Sequence, residues 1–97
     1  MDEFDNLIHS PTRLRIMALL SGTNSASFAY LQDVLGITPQ NLSKNLKILA
    51  DHGCIFSMKR RGAYGQETIV HATGKGLAAF QRHKRSLLRL LTDPENA

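Results

Sequence analysis

Two groups of residues carry the polar chemistry of this chain. In the first, Gln40, Lys44, Lys47 and Asp51 recur at three- and four-residue spacing, with Ser43 beside them. That spacing brings side chains onto one side of a helix. Amides offer a donor next to an acceptor and ammonium groups offer point cations. Such a set suits base edges and phosphate oxygens better than bond-breaking chemistry. The second group is Lys59-Arg60-Arg61, three cations running into Gly62-Ala63-Tyr64-Gly65. Each group also has a plainer explanation. A polar helix face can simply be solvated, and Lys or Arg on a hairpin edge discourages strand-to-strand aggregation. Tyr64 has two open roles, stacking on a sugar or reaching a phosphate, or folding back over the hairpin.

Other chemistries lack their residues. Ser21, Ser27 and Ser43 have no base near them in sequence, and capping or surface roles suffice for them. No Gly-rich phosphate loop, paired-Cys motif or His pair at helical spacing occurs. His9, His52, His71 and His83 fall on different elements, and one cysteine is too few for a thiolate metal site. No cofactor, metal or catalytic activity is expected. Cys54 follows Gly53 at a strand entrance, where a small buried residue is expected. As an alternative, Lys59 to Arg61 would lie close enough to activate it as a redox thiol.

Four polar caps organise the elements that must position these groups. Ser10-Pro11 is an N-cap with proline at the first helical position, and its helix is expected to stop at Gly22. Leu14, Met17 and Ala18 share one side, while Ile16, Leu19 and Leu20 nearly close the ring, so burial on most sides is expected. A short acidic helix is expected around residues 2–8. Ser27 caps a second helix carrying Phe28, Leu31 and Leu35, which ends at Gly36. Only Ile37 separates it from Thr38-Pro39, a second cap-plus-proline start, so the two helices form a helix-turn-helix. The third helix is expected from Pro39 to about His52, with Leu42, Leu46 and Leu49 facing inward. Residues 54–61 and 66–73 are β-prone around the turn at Gly62 to Gly65 and predict a hairpin. Thr73 then caps a last helix reaching about Leu91. Its apolar stripe is Leu77, Phe80, Leu87, Leu88 and Leu91, interrupted by Lys84, while Arg82, Arg85, Ser86 and Arg89 face away.

The 97 residues, 42% of them hydrophobic, suffice for one domain with one core. Net charge is +4 and unevenly spread. Residues 1–36 oppose Asp2, Glu3, Asp5 and Asp33 to Arg13 and Arg15, whereas residues 37–72 oppose five cations to Asp51 and Glu67. A basic second half suits a polyanionic partner. A single cysteine, an acidic start and no apolar run beyond Ile16 to Leu20 predict a cytoplasmic chain without signal peptide or membrane span.

Ser10 to Ile16, the turn and helix from Leu35 to Leu46, the segment Leu49 to Ile55, and Ala72 to Gly76 together resemble MarR- and ArsR-type winged-helix transcription regulators. The resemblance implies a mainly α fold with a small β-hairpin wing, an α+β winged helix-turn-helix with a C-terminal dimerisation helix. Its parts would be the helix-turn-helix at about 27–53, the wing at about 54–73 and the closing helix at about 73–92. It implies a homodimer acting mostly as a repressor, with the third helix in the major groove and the wing along the minor groove or backbone. Two positions depart from the family pattern. Asn45 stands where many relatives carry a basic residue or histidine, and Gly74-Lys75 replaces a frequent Pro-Glu.

The expected function is therefore sequence-specific binding of double-stranded DNA. Gln40, Asn41, Ser43, Lys44 and Lys47 are expected at the major groove, Thr38 at the helix N-terminus whose free N–H groups can meet a phosphate, and Lys59, Arg60, Arg61 and Tyr64 at the backbone or minor groove. Leu77, Phe80, Lys84, Leu87, Leu88 and Leu91 are expected at the dimer interface. The alternative is a protein-interaction module whose basic face meets an acidic partner. Operator, regulated genes and any effector ligand stay open.

Overall fold

The computed structural model of the chain describes residues 10–92. The helix expected around residues 2–8, together with His9, lies outside the described residues. The element order within them is α1 (Pro11–Thr23), β1 (Ser25–Ser27), α2 (Phe28–Leu35), α3 (Pro39–Asp51), β2 (Ile55–Gly62), β3 (Gly65–Ala72) and α4 (Gly74–Thr92). This is the α+β arrangement that the resemblance implies.

Each helix start rests on a local hydrogen bond. Ser10, Ser27, Thr38 and Thr73 accept from the backbone N–H of Arg13 (3.4 Å), Tyr30 (3.0 Å), Asn41 (3.1 Å) and Gly76 (3.0 Å), satisfying a donor that the first helical turn leaves open. Thr73 Oγ1 also donates to the Gly53 carbonyl at 2.6 Å, so one side chain joins the starts of α4 and β2. The end of α3 is a double reversal: Gly53 N–H reaches the Ala50 carbonyl and Cys54 N–H the Leu49 carbonyl, both at 2.9 Å.

Two sequence expectations need correction. α1 does not stop at Gly22 but continues to Thr23, and Asn24 takes the left-handed conformation with φ 66°. Asparagine tolerates that conformation through its short polar side chain. The position is imposed from afar, because the Asn24 carbonyl accepts from Ala72 N–H at 2.9 Å and ties the end of α1 to β3. The β structure is also more than a hairpin. β1 pairs antiparallel with β3, making a three-stranded sheet of order β1-β3-β2 with β3 central.

The core forms where these elements meet. Ile16, Met17 and Leu20 of α1, Leu31 and Leu35 of α2, and Leu42, Leu46 and Leu49 of α3 pack with Cys54, Ile55, Val70 and Phe80. Ala18, expected inside, is exposed. α4 passes so close to the start of β2 that a Cβ at Gly76 would overlap the Cys54 carbonyl oxygen. Only glycine permits that approach, which explains its place in a helical first turn.

Candidate nucleic-acid interface

The outward side of α3 is polar along its length. Pro39, Gln40, Ser43, Lys44 and Lys47 line one shallow depression. Lys47 reaches forward to Asp51 at 3.2 Å in an exposed ion pair. Such a pair contributes little stability, so Lys47 can exchange Asp51 for another anion at small cost. Lys44 has no hydrogen-bond or ion-pair partner among the described residues.

The hairpin divides its cations between two faces. β2 and β3 pair from Ile55↔Ala72 to Gly62↔Gly65, and successive side chains in a strand point to opposite sides. Lys59 and Arg61 share the side of Ile55 and Ser57, the side that meets the core and α3. There Ser57 and Thr68 line a crevice with Ser43 and Lys47 of α3. Lys59 Nζ donates to Thr68 Oγ1 across the strands at 2.7 Å. Arg60 points the other way, and its Nε (3.1 Å) and Nη2 (2.7 Å) both donate to Glu67 Oε1. Its neighbours on that side are Met58 and Phe56, the latter stacked on His71 with ring centroids 4.9 Å apart. The three consecutive cations thus form no single patch: Lys59 and Arg61 face α3's side, and Arg60 is paired behind the wing.

At the tip only Ala63 and Tyr64 lie outside the strand ladder. Neither has positive φ, and Gly65 at φ 113° returns the chain to the strand. Tyr64 is fully exposed, which rules out folding back over the hairpin and leaves its ring free at the tip.

One feature of the interface was invisible in the residue pattern. Asn45 is 6% exposed, in the interior and not on the outward face. Its Oδ1 accepts from Arg13 Nη1 of α1 at 3.0 Å. Its Nδ2 donates to both the Asn41 carbonyl (2.9 Å) and Asn41 Oδ1 (2.7 Å). Asn41 itself is exposed. A helical i, i+4 relation between two asparagines was available as a signal, but the Arg13 contact spans 32 positions.

Cys54 is fully buried, and burial pushes its thiol pKa up, partly offset by the nearby positive charge of Lys75. Cys54 is thus the small buried residue expected at this strand entrance, and the cation acting on its thiol is Lys75 of α4, not Lys59 to Arg61 as the alternative had it. Among the described residues no three His, Cys, Asp or Glu side chains gather to hold a metal, and no helix is long and apolar enough to cross a membrane.

On α4, Phe80 belongs to the core and Leu77 is half-buried. Beyond Phe80 the helix runs on to Thr92 with Lys84 exposed and Leu87, Leu88 and Leu91 at 41%, 49% and 81% exposure. Leu90, at 54%, joins them although the sequence pattern left it out.

Comparison with known proteins covers nearly the whole described chain. A family model for a winged helix DNA-binding domain matches residues 12–91. An uncharacterized protein of Methanocaldococcus jannaschii is 33% identical over 84 residues, which are 87% of this chain and 91% of that protein. A transcriptional regulator homologue from Pyrococcus horikoshii OT3 superimposes with a TM-score of 0.82 at 29% identity, covering 89% of this chain and 85% of its own. A MarR-family chain from Enterococcus faecalis V583 shares the fold, with a TM-score of 0.79 at 17% identity over 95% of this chain and 88% of its own.

Proposed function

The chain belongs to the winged helix DNA-binding domain family, and on that premise we propose that it is a DNA-binding transcription regulator, a sequence-specific homodimer acting as a repressor. The observation that carries the proposal is the polar side of α3 continuing into the α3-facing side of the wing. Gln40, Ser43, Lys44 and Lys47 lie on the helix, and Lys59 and Arg61 extend the same side along β2. Amides and a hydroxyl at the start of a helix read base edges, and flanking cations hold phosphates. The likeness to a transcriptional regulator homologue supports the regulatory role.

A protein-interaction surface on α3 would call for exposed apolar side chains, and among the described residues α3 exposes no large one. The dimer rests on α4. Leu87, Leu88, Leu90 and Leu91 lie within one broad side of the helix, and Arg82, Arg85 and Arg89 lie opposite. An exposed apolar extension of this kind calls for a partner, and a second copy supplies an identical stripe. Two α3 helices related by a two-fold axis then meet half-sites one DNA turn apart, about 34–36 Å.

Fluorescence anisotropy with a duplex enriched from a random library, and with its scrambled version, tests the proposal. Tight binding to the enriched duplex that weakens steeply with salt is expected. Micromolar binding without preference between the two duplexes would refute it.

A further inference from the structure

The network behind α3 determines which end of one amide faces outward. Arginine only donates hydrogen bonds, so the Asn45 atom 3.0 Å from Arg13 Nη1 must be the carbonyl oxygen. The other end of the Asn45 amide is then NH2, and it donates to the Asn41 main-chain carbonyl at 2.9 Å. The side-chain atom of Asn41 that lies 2.7 Å from the same nitrogen must accept, so it is Oδ1. Both amide orientations thus follow from the one partner whose chemistry is unambiguous. Asn41 Oδ1 is turned toward a residue that is 6% exposed, while Asn41 itself is exposed. What remains for an external partner is Nδ2 with two free hydrogens.

Asn41 stands in the first turn of α3, where its own N–H is capped by Thr38. A free asparagine pairs with adenine by presenting donor and acceptor side by side to N7 and N6. An asparagine whose oxygen is turned inward to accept from Asn45 presents its NH2 end, and so its donors, outward. Guanine is the base whose major-groove edge has two acceptors, N7 and O6, and no donor. We infer that the Arg13–Asn45–Asn41 chain makes Asn41 a donor-only reader that selects guanine over adenine at one base position. Asn45 acts here as a positioning residue without touching DNA. The inference rests on the DNA-binding reading above.

The test is enrichment from a double-stranded DNA library randomised over its central segment, run with the unmodified chain and with Asn41→Ala, Asn41→Asp and Asn45→Ala. The unmodified chain is expected to enrich a site with an invariant G·C pair at one position per half-site. Asn41→Ala loses the preference at that position alone. Asn45→Ala frees the amide to rotate, so adenine enters at that position and discrimination falls roughly tenfold. Asn41→Asp replaces the outward donor by an acceptor and is expected to change the preferred base from guanine to cytosine, whose edge offers the N4 donor. Because Asn41 is exposed, that variant serves even if Asn45→Ala fails to fold, which thermal unfolding by circular dichroism reveals.

If the unmodified chain enriches no sequence, the DNA-binding reading itself falls and this inference with it. If it enriches a site but Asn41→Ala changes no position, or the affected position is adenine, the inference alone is overturned. An Asn45→Ala variant that folds and keeps the full guanine preference also overturns it.

Discussion

The two arginines at the end of β2 are neighbours in sequence and should differ sharply in DNA binding. Arg61 points to the side shared with Lys59 and α3, and it has no partner among the described residues. Arg60 points behind the wing with two nitrogens on Glu67 Oε1, the shorter contact being 2.7 Å. Each cation that neutralises a phosphate adds about 0.9 to the slope of log affinity against log salt. If Arg61 meets a phosphate in each copy of the proposed homodimer, Arg61→Ala loses two such contacts, so the slope should fall by about 1.8. Between 50 and 200 mM salt the unmodified protein should therefore lose about twelvefold more affinity than the variant. Arg60→Ala removes a charge already paired and facing away, and screening confines its residual influence to about 10 Å. Its slope should stay within about 0.3 of the unmodified value. Anisotropy titrations at four salt concentrations, on an enriched and a scrambled duplex, measure both variants. If Arg60→Ala lowers the slope as much as Arg61→Ala, the division of the wing into two faces is wrong as an account of binding.

Gly76→Ala should destabilise the fold by about 3 kcal/mol because backbone, not a movable side chain, occupies the added methyl's place. Gly74→Ala, with open space around it and no unusual φ, should be neutral or stabilise by about 0.4–1 kcal/mol, so paired urea melts separate the two. Leu87→Asp combined with Leu91→Asp should leave a folded monomer by sedimentation. An unmodified chain already monomeric at micromolar concentration would dispose of the α4 dimer. The Cys54 pKa is raised in the folded state, so its contribution to stability is fully present below the unfolded value of 9.0 and falls as pH rises from there toward the folded value. Cys54→Ser measured by urea melts at pH 7 and pH 10 should show a smaller loss relative to the unmodified chain at pH 10, and an equal loss at both would contradict this.

What the sequence made legible was local. Ser10-Pro11, Ser27, Thr38-Pro39 and Thr73 announce helix starts because each cap bonds a backbone N–H three residues on. Leu42, Leu46 and Leu49 announce the inner side of α3 through period alone. What stayed hidden depends on contacts between distant segments. β1 is three residues long, too short for a period, and exists because β3 offers Ile69, Val70 and His71 to pair with. Asn24 ends α1 because Ala72 holds its carbonyl, although Gly22 carried the stronger local stop signal. The division of Lys59, Arg60 and Arg61 was readable in principle. Lys59 and Arg61 have the same parity as the buried Ile55, so alternation alone assigns Arg60 to the other side. Asn45 lies at helical spacing from the buried Leu42 and Leu49, so period alone could place it inward, but its polar type argued against burial and its partner Arg13 stands 32 positions away.

The short strand β1 has a consequence for how the two halves of the interface meet DNA. Ser27 ends β1, where it pairs with Ile69, and the same residue caps α2 by accepting from Tyr30 N–H. Gly36 and Ile37 then carry the chain directly into Thr38, the cap of α3. The path from the central strand of the wing to the start of α3 therefore contains no free loop: it is a ladder, a cap, one short helix and a second cap. At the other end of α3, the paired reversal at Gly53 and Cys54 leads straight into β2. α3 is thus joined to β2 through the backbone hydrogen bonds at Gly53 and Cys54, to β1 through the capped helix α2, and to α1 through the Arg13–Asn45 hydrogen bond at its middle. Displacing α3 against the wing would break several of these bonds at once, each contributing about 1 kcal/mol. Helix and wing should accordingly approach DNA as one rigid surface, with adjustment to a particular site falling to exposed side chains such as Gln40, Lys44 and Arg61 and, in the proposed dimer, to the angle between two copies at α4.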